Sequence, residues 1–170
     1  MKVFEAIRTR KSVRSFLDKP VEDEKLLAVL EAGRIAPSAG NRQEWRFIVV
    51  HDNKLRAGLG EAANGQSFVG EAPVVIVACA ESDGHVMSCG QTSYPIDVAI
   101  ALDHISLAAV ELGLGTCWIG AFNEEKVKEI LGIPEEVKVV ELMPLGYPAT
   151  DLVKEKKRLS FNKIVKSGYW

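Results

Sequence analysis

Residues Tyr94 to Leu112 read YPIDVAIALDHISLAAVEL. From Ile96 onward this stretch is apolar almost all round, the mark of a helix covered on most of its sides and therefore the spine of a fold. Gly113 terminates it, and Thr116 to Ile119 follows as a short strand. Asn123 is placed to cap the next helix, whose first turn holds Glu124 and Glu125 and which Gly132 and Pro134 stop after Leu131. Val137 to Leu142 is a further strand running to Pro144. On the N-terminal side, Val74 to Ala80 is a run of seven apolar residues, read as a fully buried strand. Trp45 to Val50 is a strand by its aromatic and β-branched content, and Asp52 or Asn53 caps a helix through Ala63. Pro20 opens an earlier helix with Leu26, Leu27, Leu30 and Ile35 on one side, ended by Pro37, and Phe4 to Arg8 forms a short first helix. Helices outweigh strands and never alternate strictly with them, so the expected class is α+β.

At 170 residues, 47% hydrophobic and 26% charged, with no repeat and no low-complexity linker, the chain is expected to form one domain over residues 1–170. The apolar runs are far shorter than the roughly 20 residues that span a bilayer, and MKVFEAIRTRKS has no signal-peptide pattern, so the expected location is the cytoplasm. Cys79, Cys89 and Cys117 form no C-x-x-C pair and read as reduced thiols. The net charge of -2 argues against nucleic acid as a partner, but it is unevenly spread. Arg8, Arg10, Lys11 and Arg14 lie together without an acid, and Lys154, Lys156, Lys157 and Arg158 surround only Glu155. Outside these two clusters the chain carries 13 basic and 22 acidic side chains. A fold that closes the clusters on each other would make a compact anion site; one that does not leaves two solvated patches.

The usual phosphate cradles are missing. Gly113 and Gly115 begin a G-x-G, but Trp118 stands where a third glycine of the dinucleotide fingerprint would fall, and there is no P-loop. His51, His85 and His104 are scattered; His85 with Cys89 lacks further ligands, so no metal is expected. Three other stretches carry chemistry. In RTRKSVRSF, Arg8 to Phe16, the side chains of Arg10, Lys11, Ser12 and Arg14 can together hold a dianion. In APSAGNRQEW, Ala36 to Trp45, small Ser38, Ala39 and Gly40 permit close approach, while Asn41 and Gln43 offer the amide donors and acceptors that a planar heterocycle with polar edges requires. In GLGTCWIGAF, Gly113 to Phe122, Trp118 and Ile119 supply apolar area and Gly120 lets the backbone approach a ligand. Each stretch reads equally as an ordinary helix end, loop or buried strand.

Taken in order, these three stretches together with PLGYP at Pro144 to Pro148 resemble the nitroreductase family of flavoenzymes. The likeness runs from about Phe4 to the C-terminal cations. It implies an α+β fold with a central, mostly antiparallel sheet surrounded by helices, an intertwined homodimer, and FMN at the subunit interface. Carried over residue by residue, Arg10 and Ser12 resemble phosphate ligands, and Arg14 the cation beside the pyrimidine edge of the flavin. Pro37, Ser38 and Asn41 resemble the loop that reaches the flavin from the other subunit. Ile119 and Gly120 resemble the backbone near the hydride-accepting nitrogen, and Gly146 falls in the late turn close to the cofactor. Lys156 and Arg158 resemble the cations that complete the phosphate site. KEKKRLSFNKIV departs from the family tail by two residues before Ile164, which leaves open the choice among Lys156, Lys157 and Arg158.

The implied activity is transfer of a hydride from NADH or NADPH through FMN to a nitroaromatic, quinone or similar small acceptor. One flavin face serving both substrates in turn implies ping-pong kinetics, and because the flavin carries the chemistry no catalytic side chain is expected. Alternatives are a specialised flavin reaction such as reductive dehalogenation or flavin fragmentation, which usually needs extra covering segments, and a non-enzymatic flavin-binding dimer. The apolar tail Phe161 to Trp170 is expected to wrap a partner subunit.

Overall fold

The computed structural model describes residues 2–150 and 156–170. Four strands, β1 (Trp45–Val50), β2 (Val74–Ala80), β3 (Gly115–Thr116) and β4 (Lys138–Gly146), form one antiparallel sheet in the order β1-β2-β4-β3. The helices are α1 (Val3–Thr9), α2 (Asp23–Arg34), α3 (Asn53–Ala62), α4 (Ser67–Glu71), α5 (Ser93–Glu111), α6 (Glu124–Leu131) and α7 (Phe161–Ile164). The class expected from the sequence is therefore the one found.

All seven residues of β2 are buried, because the strand is central and both its faces are covered. One face gathers Val74, Ile76, Ala78, Met143 and Leu145 against Val98, Leu102 and Ile105 of α5 and against α2. The other packs Val75, Val77, Cys79 and Leu142 against α3, α4 and α6. α5 is long and apolar enough to cross a membrane by length and composition. Its residues Val98, Ala101, Leu102, Ile105 and Ala109 are nonetheless buried in the protein, which makes it the core helix its all-round apolarity suggested.

The differences from the sequence reading have local causes. α2 begins at Asp23, with extended Glu22 before it, rather than at Pro20. Its buried stripe is Leu26, Val29 and Gly33, so Leu27 and Ile35, expected beside Leu26, stand 66% and 63% exposed. Consecutive helical positions are separated by about 100°, and a row of leucines cannot all face one core. The strand expected at Thr116 to Ile119 pairs continuously only over Gly115–Thr116 and rejoins β4 as a single bridge, Ile119 with Leu142. β4 runs on to Gly146, and one extra residue, Val140, opposes β2 where Cys79 pairs with Val139 and Ala78 with Glu141. Asn123 caps α6 through the Lys126 N–H, and left-handed Gly132 ends it.

Candidate flavin site

Residues 12–17 lie in the groove between the end of β3 and the exit of β4. Val13 N–H donates to Thr116 O at 2.9 Å, Leu17 N–H to Tyr147 O at 2.8 Å, and Ala149 N–H to Ser15 O at 2.9 Å. Ser12 pairs with Thr116 and Phe16 with Pro148 as isolated bridges. This backbone seam sets the first basic stretch beside Thr116 and Tyr147 to Ala149. Lys11 Nζ reaches Thr150 O at 3.1 Å, and Lys156 Nζ donates to Ile7 O at 2.8 Å.

Two glycines make the seam possible. A Cβ on buried Gly115 would stand 2.4 Å from Cγ2 of Val13, and one on Gly146 would stand 2.5 Å from Cδ of Pro73 and 3.1 Å from Phe16. Gly146, expected in a late turn, is the last residue of β4 and packs closely against Pro73 and Phe16.

The result is convergence of charge. Burial, followed by repulsion from Arg10 and then Arg158, pulls the Lys156 amine below its ordinary pKa. Among the described residues, Arg10, Arg14, Lys156 and Arg158 form no ion pair with an acidic side chain. Four cations without an acidic partner among the described residues, with Lys156 repelled by both Arg10 and Arg158, fit a phosphate dianion, and the bond to Ile7 uses one of the three donors of the Lys156 ammonium. Lys154, the first cation of the second cluster, lies outside the described residues.

The segment that follows β3, Cys117 to Gly120, lies beside the first basic stretch. Burial pushes the Cys117 thiol up, and Arg14, a Ser12 hydrogen bond and Arg10 act in the opposite direction, which places Ser12 and Arg14 beside this segment. Ile119 is buried and Gly120 is exposed. Beside Gly120 is a residue the sequence reading passed over. A Cβ on Gly120 would lie 3.6 Å and 3.8 Å from the two carboxylate oxygens of Glu141, a half-buried acid whose pKa burial pushes up to about 7. The signal was present: Glu141 is the only charged residue between Lys138 and Tyr147 in an otherwise apolar strand.

The loop from Pro37 to Gln43 is built separately. Gly40, Asn41 and Gln43 all have positive φ, near 57°, 57° and 53°, and two of these are not glycine. At Asn41 and Gln43 such a conformation costs about 1 to 3 kcal/mol each and persists where the surroundings over-determine it. Here Asp97 of α5 accepts from Ala39 N–H at 3.0 Å, Ser38 Oγ accepts from Gln43 N–H at 3.0 Å, and the Gln43 side chain donates to Asn41 O at 3.1 Å. Arg42 pairs with Asp83, and Arg46 of β1 donates to Gln43 O. Asp97 and Glu44, which sequence reasoning missed, are 3% and 6% exposed, and each keeps one carboxylate oxygen without a hydrogen-bond partner among the described residues. The loop's bonds thus run to α5, β1 and Asp83, whereas Lys156 is anchored to Ile7 and Lys11 to Thr150.

A four-stranded antiparallel sheet packed on one face against the core helix α5, with helices on both faces, defines an α+β protein. The nitroreductase family model matches residues 7–75 and 61–147, and the chain belongs to the nitroreductase family. The chain is 38% identical over 151 residues to a putative NADH dehydrogenase/NAD(P)H nitroreductase of Archaeoglobus fulgidus, covering 84% of this chain and 83% of that protein. It is 33% identical over 174 residues to the FMN reductase [NAD(P)H] of Bacillus subtilis, covering 92% and 70%. A crystal structure of a nitroreductase family protein from Clostridium difficile 630 superposes with a TM-score of 0.90 at 31% identity and covers 100% of both chains.

Proposed function

We propose that the protein is an FMN-dependent oxidoreductase that takes a hydride from NADH or NADPH and passes two electrons to a nitroaromatic, quinone or similar small acceptor in ping-pong order. The observation that carries this reading is that Lys156 feels both Arg10 and Arg158, a repulsion that a terminal phosphate dianion would relieve. Names of the relatives, NAD(P)H nitroreductase and FMN reductase, support it. Bound FMN supplies the hydride-accepting ring. Arg10, Lys11, Ser12, Lys156 and Arg158 hold its phosphate, Arg14 faces its pyrimidine edge, and the backbone of Ile119 and Gly120 lies against its reactive edge.

Pro37, Ser38, Asn41 and Gln43 serve the same ring from a partner subunit, which makes the functional unit a homodimer. Supporting this, Val3, Phe4, Leu27 and Ile35 are exposed, and so are Phe161, Ile164, Tyr169 and Trp170 of the tail, more apolar surface than a lone chain leaves in water. Deleting residues 161–170 is expected to weaken both the dimer and flavin retention.

The deciding experiment is the absorbance spectrum of the purified chain with mass analysis of the released chromophore, followed by steady-state oxidation of NADH and NADPH with a quinone or nitroaromatic. Colourless protein that takes up no added FMN, or yellow protein with no turnover on either class of acceptor, refutes the proposal.

A further inference from the structure

Glu141 stands out because nothing in the assigned roles uses it. It lies on β4 next to the bulge at Val140, on the sheet face shared with Ala78, its partner on β2, and with Met143 and Leu145. Bulges are frequent beside active sites, where they re-aim side chains. The carboxyl is set against Gly120, the exposed position at which the backbone meets the proposed reactive edge, and no hydrogen bond or ion pair from the described residues holds it. We infer that Glu141 is the proton-holding group of this site: its carboxylate takes up a proton when negative charge enters on reduction and gives it to the acceptor when that charge leaves.

The charged and titratable groups around it leave this role open. Cys117, just after β3 and on the other sheet face, is a thiol raised by burial and, to a lesser extent, by Glu141, with Arg14, a Ser12 hydrogen bond and Arg10 acting in the opposite direction. Cys79 of β2, with Glu124 and Lys128 of α6, forms a separate group on the other sheet face. Asp97 of α5 is engaged by Ala39 N–H, and Glu71 of α4 is exposed. Burial alone sets the Glu141 carboxyl at about 7, where it changes state within the working range of a neutral-pH enzyme.

The balance closes with the reactants already named. NAD(P)H is oxidised and gives up a hydride, two electrons with one proton, while the Glu141 carboxylate draws a second proton from solvent. In the second half-reaction a quinone receives the hydride equivalent and the Glu141 proton. The carboxyl O–H bond breaks as an acceptor O–H bond forms, and its electron pair stays on the carboxylate. The quinone leaves as the hydroquinone.

This inference rests on the proposed FMN site, and proton counting tests the two separately. FMN-loaded wild type and Glu141→Gln are reduced photochemically in weak buffer with a pH-indicating dye. At about pH 8, above the value of about 7 to which burial pushes the Glu141 carboxyl, wild type should take up as much as one proton more per pair of electrons than the variant. At about pH 6 the excess should vanish, since Glu141 is then protonated before reduction. In the infrared, wild type reduced at the higher pH should gain a protonated-carboxyl band, a readout that needs no variant. A purely structural role would move FMN affinity or melting temperature but not this proton difference. Equal uptake by both yellow proteins at the higher pH, or no new carboxyl band, overturns the role of Glu141 alone. A chain that binds no FMN overturns it together with the proposed function.

Discussion

Gly115→Ala tests whether the seam between residues 12–17 and β3 sets the position of the cations. The new methyl would meet Val13 Cγ2 at 2.4 Å, Val13 Cβ at 2.9 Å and Pro148 Cγ at 3.1 Å, against an ordinary contact of about 3.5 to 4 Å. Val13 is buried and β-branched, so it cannot rotate away cheaply, and relief requires its backbone to retreat by about 1 Å. Overpacking of this kind costs about 1 to 3 kcal/mol. For a chain of this size that lowers the melting temperature by about 2 to 12 °C. The same retreat stretches the 2.9 Å bond from Val13 N–H to Thr116 O and carries Ser12 and Arg14 with it. Loss of one charge-assisted contact to the phosphate, about 1.5 to 3 kcal/mol, corresponds to roughly a 10- to 150-fold weaker FMN complex. Thermal unfolding by circular dichroism and FMN titration by flavin fluorescence measure the two effects, and Val13→Ala combined with Gly115→Ala should lose less than the sum of the single changes. A Gly115→Ala protein that melts and binds FMN like wild type would show that the seam does not position the cations.

Arg10 and Arg14 should fail differently. Arg10→Ala is expected to weaken FMN binding with little change in potential, whereas Arg14→Leu should make the bound flavin harder to reduce by about 30 to 60 mV, the equivalent of about 1.5 to 3 kcal/mol for a two-electron couple; redox titration separates them. Tyr147→Phe removes the hydroxyl that, ahead of Lys25 and Lys19, holds Glu22 down to about 2, so a nuclear magnetic resonance titration should find Glu22 closer to its ordinary 4.5. Because that depression stabilises the fold above the ordinary value and is lost as pH falls toward 2, the variant should lose stability at neutral pH and differ least in strong acid. Cys89→Ser should retain turnover, since this thiol is exposed with no described role, and an inactive variant with flavin still bound would contradict that.

The sequence carried the elements well where a local rule was strong. Val74 to Ala80 is a strand over the residues its apolar run marked, and Asp52 and Asn123 cap the helices their side chains suggested. It carried less where tertiary contacts decide. α4 is five residues long and has no side-chain cap, and the exposed Leu27 and Ile35 belong to surface that a single chain's periodicity cannot assign. The two basic stretches were visible as composition, but the seam that holds the first against Thr116 and Tyr147, and the bond from Lys156 to Ile7, join residues more than a hundred positions apart, which no local pattern encodes. Glu141 was visible as a lone charge, yet its meaning depends on the crossing of Gly120 and on a bulge that only the register reveals.

Lys156 links these observations in one argument about ligand and stability. Its amine is pulled below the ordinary lysine value of 10.5 by burial and by Arg10 and Arg158. The sign follows: a cation whose folded pKa is lowered is less favoured in the folded chain, so protonated Lys156 opposes folding throughout neutral pH and the opposition fades only as pH climbs through its folded value. An anion reverses this by restoring a favourable partner to the ammonium and screening it from both guanidiniums. Phosphate bound by the folded chain alone must then raise stability by mass action. Inorganic phosphate at neutral pH should therefore raise the melting temperature of the FMN-free chain more than sodium chloride at the same ionic strength, and Lys156→Ala should start from a more favourable charge balance and respond less. If phosphate and chloride act alike on the wild-type chain, the cluster is not an anion site, and the charge convergence on which the phosphate assignment rests has no binding consequence.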